Sequence, residues 1–249
     1  MKNKVSVIIP CYNYSEYIEV CLLSVLCQRC NYDIEIIVGD DCSTDNSINI
    51  INRIQHLYGN IPGFEIKILS HPVNIGEVMN TKSLLEKCTG EYIAYLDADD
   101  YWVDPFKLNK QIDFMNNNLD HSLCVAGFLH LDEDGNYTPD DKYNNWLCPV
   151  GELSSENLCD GNVVTSSSSR LFRKYDDLLS DDFYNFPYSD WLLNFELSLK
   201  GKIGYLNFPS YVYRIHNKSL SKRTNQFEID NYSNMLKRRL DDYKIKNKK

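Results

Sequence analysis

The chain has no unbroken run of about 18 apolar residues, so no segment is expected to cross a membrane as a helix. Its first residues, MKNKVSVIIPCYN, are not expected to act as a signal peptide: the apolar stretch is too short and holds a proline. Positive charge is also short. The 26 Lys and Arg stand against 35 Asp and Glu, a net charge of −9, which excludes a general nucleic-acid binder. There is no GxGxxG and no GxxxxGK followed by Ser or Thr, so neither a dinucleotide fingerprint nor a P-loop is present. The nine cysteines are odd in number and scattered through apolar segments. Cys27 and Cys30 form a single CxxC with no second Cys or His pair near it, which reads as buried reduced thiols rather than zinc ligands or disulfides. No composition shift marks a linker, and no internal repeat is visible.

What is present is a regular alternation. The 249 residues, 43% of them hydrophobic, suffice for one large domain with a sizeable core. Apolar runs at 4–10, 34–39, 64–70 and 91–96 read as strands. Between them lie helical patterns: Ile18, Cys21, Leu22 and Val25; then Ile48, Ile51, Ile54 and Tyr58, capped by Thr44 or Asp45; then residues 77–88. Asp104-Pro105 reads as the cap and first turn of a helix with Leu108, Ile112 and Met115 on one face. Four alternations predict an α/β fold: a mostly parallel, Rossmann-like sheet with helices on both faces. After residue 120 the alternation fails. Residues 122–130 read as a strand, 133–145 as a polar excursion, and 162–174 as a loop entering a strand. A loop and helix follow, and 202–219 reads as a pair of short strands. The last thirteen residues hold seven Lys and Arg against two Asp. Such a stretch is either a solvated helix or a contact with an anionic membrane surface.

Ligands of parallel sheets sit at the carboxyl ends of the strands. There the chain places Cys11-Tyr12-Asn13, Asp40-Asp41, Asn74-Ile75-Gly76 and Asp97-Ala98-Asp99-Asp100, all on one rim. Asp97 and Asp99, if extended, would lie on one side about 7 Å apart by strand rise. Two such carboxylates suit a hard divalent cation, which Mg²⁺ or Mn²⁺ sites complete with phosphates and water. The plainer reading is turn and cap acids on a solvated rim, and for Asp104, beside Pro105, that reading holds.

Four stretches, matching in order and spacing over nearly the whole chain, resemble family 2 glycosyltransferases of the GT-A fold. They are VSVIIPCYNYSEYIEVCLLSVLCQ, IEIIVGDDCSTDNS, NIGEVMNTKSLLEKCTGEYIAYLDADDYWVDPFKLNKQIDF, and the later SDW with KGKIGYLNFPSYVYRIHNKS. The resemblance implies roles. Pro10, Cys11, Tyr12 and Asn13, with Asn74, Gly76 and Asn80, would line the nucleotide, and Asp41 would bond a uracil ring. Asp97, Ala98 and Asp99 match the DxD motif that holds metal and sugar nucleotide. Asp190 matches a late acid that serves as general base. Arg214 and His216 match a late segment that closes on diphosphate or metal. Asp97, Asp99 and His216 are thus the expected ligands of Mn²⁺ or Mg²⁺.

Plainer readings stand beside these. Asp41 and Asp190 could cap helices, His216 could be a surface residue, and Arg214 could pair with a surface acid. Trp102 and Trp191 read as packing residues rather than sugar platforms. Thr165-Ser166-Ser167-Ser168-Ser169 is either a flexible turn or a pocket lining. Asp100 either orients its neighbours or meets the donor sugar. The chain also departs from the pattern. Asn80-Thr81-Lys82 stands where many members carry Ala-Arg-Asn, and Ser189-Asp190 keeps one acid of two. No QxxRW appears, which points to single addition rather than polymerisation.

The expectation is an inverting transferase that moves a hexosyl or N-acetylhexosaminyl group from a nucleotide sugar, a UDP-sugar, to a glycan or lipid-linked acceptor. Lipopolysaccharide or capsule is the expected product, and the cytoplasm, with contact at the inner membrane face, the expected location. Residues 1–120 would bind the donor, 121–225 the acceptor, and 226–249 form a basic helix or tail. A nucleotidyltransferase, a non-catalytic sugar-nucleotide binder and a glycosidase are the competing classes.

Overall fold

The computed structural model describes residues 3–139, 154–161, 164, 167–178, 189–217 and 226–246. The end of the polar excursion (140–145), Thr165 and Ser166 of the hydroxyl-rich loop, and the approach to the late acid (186–188) lie outside the described residues. The first half alternates as expected: β1 (Lys4–Cys11), α1 (Ile18–Leu26), β2 (Asp33–Asp40), α2 (Ser47–Tyr58), β3 (Phe64–Ser70), α3 (Glu77–Leu85) and β4 (Tyr92–Tyr95). Then come a short β5 (Tyr101–Trp102), α4 (Lys107–Asn117), β6 (His121–Leu131), β7 (Tyr137–Pro139) and α5 (Ser155–Asp160). The rest is β8 (Leu171–Arg173), α6 (Ser189–Lys200), β9 (Lys202–Arg214) and α7 (Gln226–Lys246).

The described strands form one nine-stranded sheet in the order β3-β2-β1-β4-β8-β6-β9-β5, with β7 beside β6. β1 pairs in parallel with β2 and β4, and β2 with β3. The core strands are apolar on both faces because helices cover both, as a parallel sheet requires. Val5, Val7, Ile9, Ile36 and Val38 face α1, α2 and α4. Ile8, Ile37, Ile93 and Tyr95 face α3, α6 and α7.

β8 inserts antiparallel between β4 and β6. This carries the chain just before β8 to the carboxyl end of β4. Residues 202–214 form one strand, not the expected pair of short ones. Its register against β6 shifts around Ala126, Gly127 and Phe128. Such an irregularity accommodates Pro209, which has no N–H to give a ladder. β9 also pairs with β5, Tyr101 opposite Val212 and Trp102 opposite Tyr211, so its end arrives beside the acids that precede β5. Both halves of the chain therefore contribute to the same rim. Two boundaries differ in detail. α2 begins after Asn46, with Asp45 Oδ1 accepting from Ser47 N at 2.9 Å, and α3 ends at Leu85. A third boundary, the start of α4, also lies later than expected: the helix begins at Lys107 with Phe106 at its cap, and Asp104 instead closes the turn before it, accepting from Phe106 N at 2.8 Å.

Candidate active site

After Tyr95 the chain does not stay extended. Asp100 N donates to the Asp97 carbonyl at 3.0 Å, closing a turn that gathers the acids in place of the expected extended spacing. Ser168, from the turn before β8, donates to Asp100 Oδ2 at 2.7 Å and to Asp97 Oδ2 at 3.3 Å. The other Asp100 oxygen accepts from Arg214 N at 3.1 Å. Asp100 is thus buried with both oxygens engaged. Asp99 Oδ2 lies 3.0 Å from His216 Nε2, and the Tyr14 hydroxyl bonds the same carboxylate. Tyr17 stacks on the His216 ring at 5.0 Å. Burial, then repulsion from Asp99, pushes the Asp97 carboxyl up to about 7. Burial and the same neighbours raise Asp100 well above the carboxylate range.

The loops after β1, β2 and β3 are stitched together. Asn13 sits at φ 59°, a conformation Asn tolerates. Its Oδ1 accepts from Thr44 N at 2.8 Å and Asp45 N at 3.3 Å. Asp41 accepts from Ile75 N at 2.7 Å and Gly76 N at 2.9 Å, and Asn74 donates to the Asp41 carbonyl at 3.2 Å. Gly76 has φ 86° with open space around its Cα, so backbone conformation alone demands glycine there. Tyr12 is exposed at the rim.

Four of the residues expected at the donor have side chains turned inward. Pro10 is buried in register with Gly39. The Cys11 thiol is in the core, where burial pushes it up to about 12, and the Ala98 methyl is also buried. Asn80 donates to the Gly39 carbonyl at 2.8 Å and lies 3.2 Å from His71 Nε2. A Cβ at position 39 would fall 2.2 Å from Asn80 Oδ1, so these two residues fit only as a pair. All four shape the rim from within because their side chains are needed by the core.

The second half completes the site. Asp190, in the first turn of α6, is one-third exposed, with Arg170 Nη2 3.8 Å from its Oδ2. Its neighbour Ser189 donates to Glu77. Burial and the nearby Asp190 raise the Glu77 carboxyl. The Arg214 guanidinium lies 4.6 Å from the Tyr101 ring centre and 5.4 Å from that of Tyr17. With His216, Glu16, Asp132 and Asn217 it lines a cavity of about 360 Å³. Lys82 pairs with Glu86 one turn along α3. Trp102 and Trp191 are packing residues, donating to the Ser168 and Leu158 carbonyls at 2.9 and 2.7 Å.

Residues 6–179 match the family described as Glycosyl transferase family 2. The chain belongs to that family. Among its family 2 relatives, the Escherichia coli UDP-Glc:alpha-D-GlcNAc-diphosphoundecaprenol beta-1,3-glucosyltransferase WfaP is 30% identical over 244 residues, 94% of this chain and 85% of that one. The putative teichuronic acid biosynthesis glycosyltransferase TuaG of Bacillus subtilis is 35% identical over 57% of this chain and 52% of its own. An uncharacterized Mycobacterium tuberculosis protein is 30% identical over 85% of this chain, which spans 58% of that relative's length. The fold matches S. aureus TarS 1-349 in complex with UDP-GlcNAc, TM-score 0.68 at 18% identity, covering 98% of this chain and 73% of that one. It also matches the mannosyltransferase PcManGT from Pyrobaculum calidifontis in complex with GDP-Man and Mn2+, TM-score 0.66 at 16% identity, over 88% and 59% of the two chains. These likenesses establish the GT-A fold of this family 2 domain.

Asp97, Asp99 and His216 fit a hard divalent cation by donor chemistry, and the cluster is short of positive charge, as the raised Asp97 carboxyl shows. Among the described residues no three such groups converge into a complete ligand set. Reading the sequence missed Tyr14, Tyr17, Glu77 and Arg170. The tyrosines had one signal, the aromatic density of YNYSEY after the first strand. Glu77, directly after Gly76, has the position of an ordinary acid in a first helical turn, which gives no local sign of burial. Nothing local distinguishes Arg170 from a surface arginine before a strand.

Proposed function

We propose that the chain is an inverting glycosyltransferase that moves a sugar from a UDP-sugar to a hydroxyl of a glycan or lipid-linked acceptor of a cell-surface polysaccharide. The observation that carries this is one rim holding two unlike sets of acids. Asp97 and Asp99 lie with His216 and Tyr14, and Asp190 stands part-exposed at the start of α6. The first set suits a divalent cation, held by Asp97, Asp99 and His216, that offsets charge on the leaving diphosphate. Asp190 suits a general base. The acceptor oxygen attacks the anomeric carbon, the bond from that carbon to the diphosphate oxygen breaks, and Asp190 takes the hydroxyl proton. One displacement inverts the configuration. Arg214 and His216 at the cavity favour an anionic donor. UDP is supported by the relative WfaP, named for UDP-Glc and a diphosphoundecaprenol acceptor, and by the TarS complex with UDP-GlcNAc.

A thermal-shift panel of nucleotide sugars with and without Mn²⁺ tests this reading. One UDP-sugar is expected to stabilise the chain selectively, and no response to any donor overturns the reading. Asp190→Asn is expected to cut transfer to a small residual rate while keeping metal-dependent UDP binding, and Asp99→Ala to lose that binding. A nucleotidyltransferase would instead release pyrophosphate from a nucleoside triphosphate.

A further inference from the structure

Arg170 lies at the centre of the molecule and is wholly inaccessible. Its Nε, Nη1 and Nη2 have no hydrogen-bond partner among the described residues. A buried guanidinium without hydrogen bonds is costly, and where a residue serves packing alone an apolar side chain of similar size does as well or better. Something at this place requires the charge.

The surroundings say what. Asp190 Oδ2 is 3.8 Å from Nη2, and the guanidinium sits over the Tyr95 ring at 5.8 Å. Arg170 also draws down the Asp97 carboxyl, and Asp97 in turn feels Glu77. The side chain thus lies near Asp97 and Asp190, each of which also interacts with Glu77, so carboxyl groups from three different parts of the fold meet here. Its placement is secured at the backbone. Arg170 N donates to the Ser167 carbonyl at 3.0 Å, and the Ser169 carbonyl accepts from Gln111 Nε2 at 2.8 Å. The Ser168 carbonyl is held by the Trp102 indole. On the far side, the Ser189–Glu77 bond and the Thr81–Glu77 bond of 3.1 Å pin the start of α6, so Asp190 is fixed from its neighbour as well.

We propose that Arg170 is a positioning residue for the transfer step: its buried guanidinium holds the Asp190 carboxylate in place and balances the acids that meet there. It acts through Asp190 and does not touch the donor. The inference rests on Asp190 being the base.

The test compares Arg170→Met, Arg170→Lys, Asp190→Asn and the Arg170→Met/Asp190→Asn double variant in the full chain. It uses the UDP-sugar selected by the thermal-shift panel. Arg170→Met is expected to lower kcat about tenfold to a hundredfold, the range a misplaced catalytic group costs. KM for the donor and Kd for UDP are expected to stay within about threefold, because Asp190 is the carboxylate paired with the guanidinium and Asp97 feels it only as one of several neighbours. Arg170→Lys is expected to recover part of kcat by keeping the charge without the planar fork. In the Asp190→Asn background, Arg170→Met is expected to change nothing further. A folded Arg170→Met protein with kcat within about twofold of wild type overturns the proposal, as does a loss confined to KM or one that adds fully to Asp190→Asn. If Arg170→Met does not fold, Arg170→Lys decides: wild-type kcat overturns the proposal, and a several-fold lower kcat at unchanged KM supports it. Wild-type transfer by Asp190→Asn alone sinks the base assignment, an outcome separate from these.

Discussion

Lys107 shows how burial sets the behaviour of a single residue. It is fully buried, its Nζ 4.2 Å from the Trp102 ring centre and donating to Gln111 Oε1 at 2.8 Å. Burial pushes its amine down from 10.5 to about 7. The folded state therefore binds fewer protons than the unfolded one between those values, and this group's contribution to stability rises with pH through that window. Relative to Lys107→Met, the wild type is expected to gain about 1 kcal/mol per pH unit from pH 7 to 9, read from urea unfolding of both proteins. A constant difference overturns the assignment. Gln111, freed of one partner in that variant, still holds the Cys124 and Ser169 carbonyls. Little of this was legible in the sequence. KLNKQI shows two lysines at helical spacing, and only packing decides that Lys107 goes inward while Lys110 pairs with Asp104.

Among the elements, α7 departs most from its sequence description. Its charge suggested a solvated helix or a membrane contact, but Tyr232, Leu236 and Leu240 form a buried stripe, with Tyr232 against the Trp191 ring at 4.6 Å. Lys237, Arg239 and Lys244 pair with Asp160, Glu196 and Glu156 on α5 and α6. Much of the positive charge is thus met within the molecule. Leu236→Ala is expected to cost about 2–4 kcal/mol in chemical denaturation, the usual range for a buried leucine. A cost under about 1 kcal/mol would show that α7 is not part of the cooperative unit. The stripe of i, i+4 and i+8 was readable, but its three apolar residues sit among charges, which hid it. β1, β2 and β4 were legible as apolar runs buried on both faces, and the edge strand β3 by Phe64, Ile66 and Ile68 at alternate positions. β5, only two residues long, was not, since it exists only through its pairing with β9.

Across the whole molecule, the two ends of the sheet treat buried acids in opposite ways. At the start of the strands, Glu35 accepts from Thr89 N at 2.6 Å, Gly90 N at 3.1 Å and Lys67 Nζ at 2.7 Å, and also from Ser6. Burial alone would raise its carboxyl, but the Lys67, Ser6 and Thr89 bonds outweigh it and hold the group at about 2, below its ordinary 4.5. A depressed carboxyl stabilises fully above pH 4.5 and loses that contribution as pH falls toward 2. Glu35→Gln is expected to cost about 2 kcal/mol at pH 7, with the difference from wild type shrinking between pH 5 and 2.5. An undiminished difference at pH 2.5 overturns this. At the carboxyl end, burial raises both Asp97 and Asp100, and repulsion adds to it, from Asp99 on Asp97 and from Asp99 and Asp97 on Asp100. One end is a satisfied fastener, and the other is a cluster of acids raised by burial and mutual repulsion, the place where the proposed cation and donor would bind.

By itself the sequence determined the parallel half of the sheet, the rim where its loops converge, and the acids Asp97, Asp99 and Asp190. Alternating apolar runs dictate elements locally, and a strand end is a fixed place for the residues after it. Tertiary structure decided which of those residues turn inward, and it brought in the partners from far along the chain. Ser168 and Arg170 reach the acids through β8 inserted beside β4, and Arg214 and His216 arrive by β9 pairing with β5. Those contacts join residues about seventy to more than a hundred positions apart in sequence. No local pattern encodes such pairings, because they arise from strand order and register, which the chain settles only when the two halves close into one sheet.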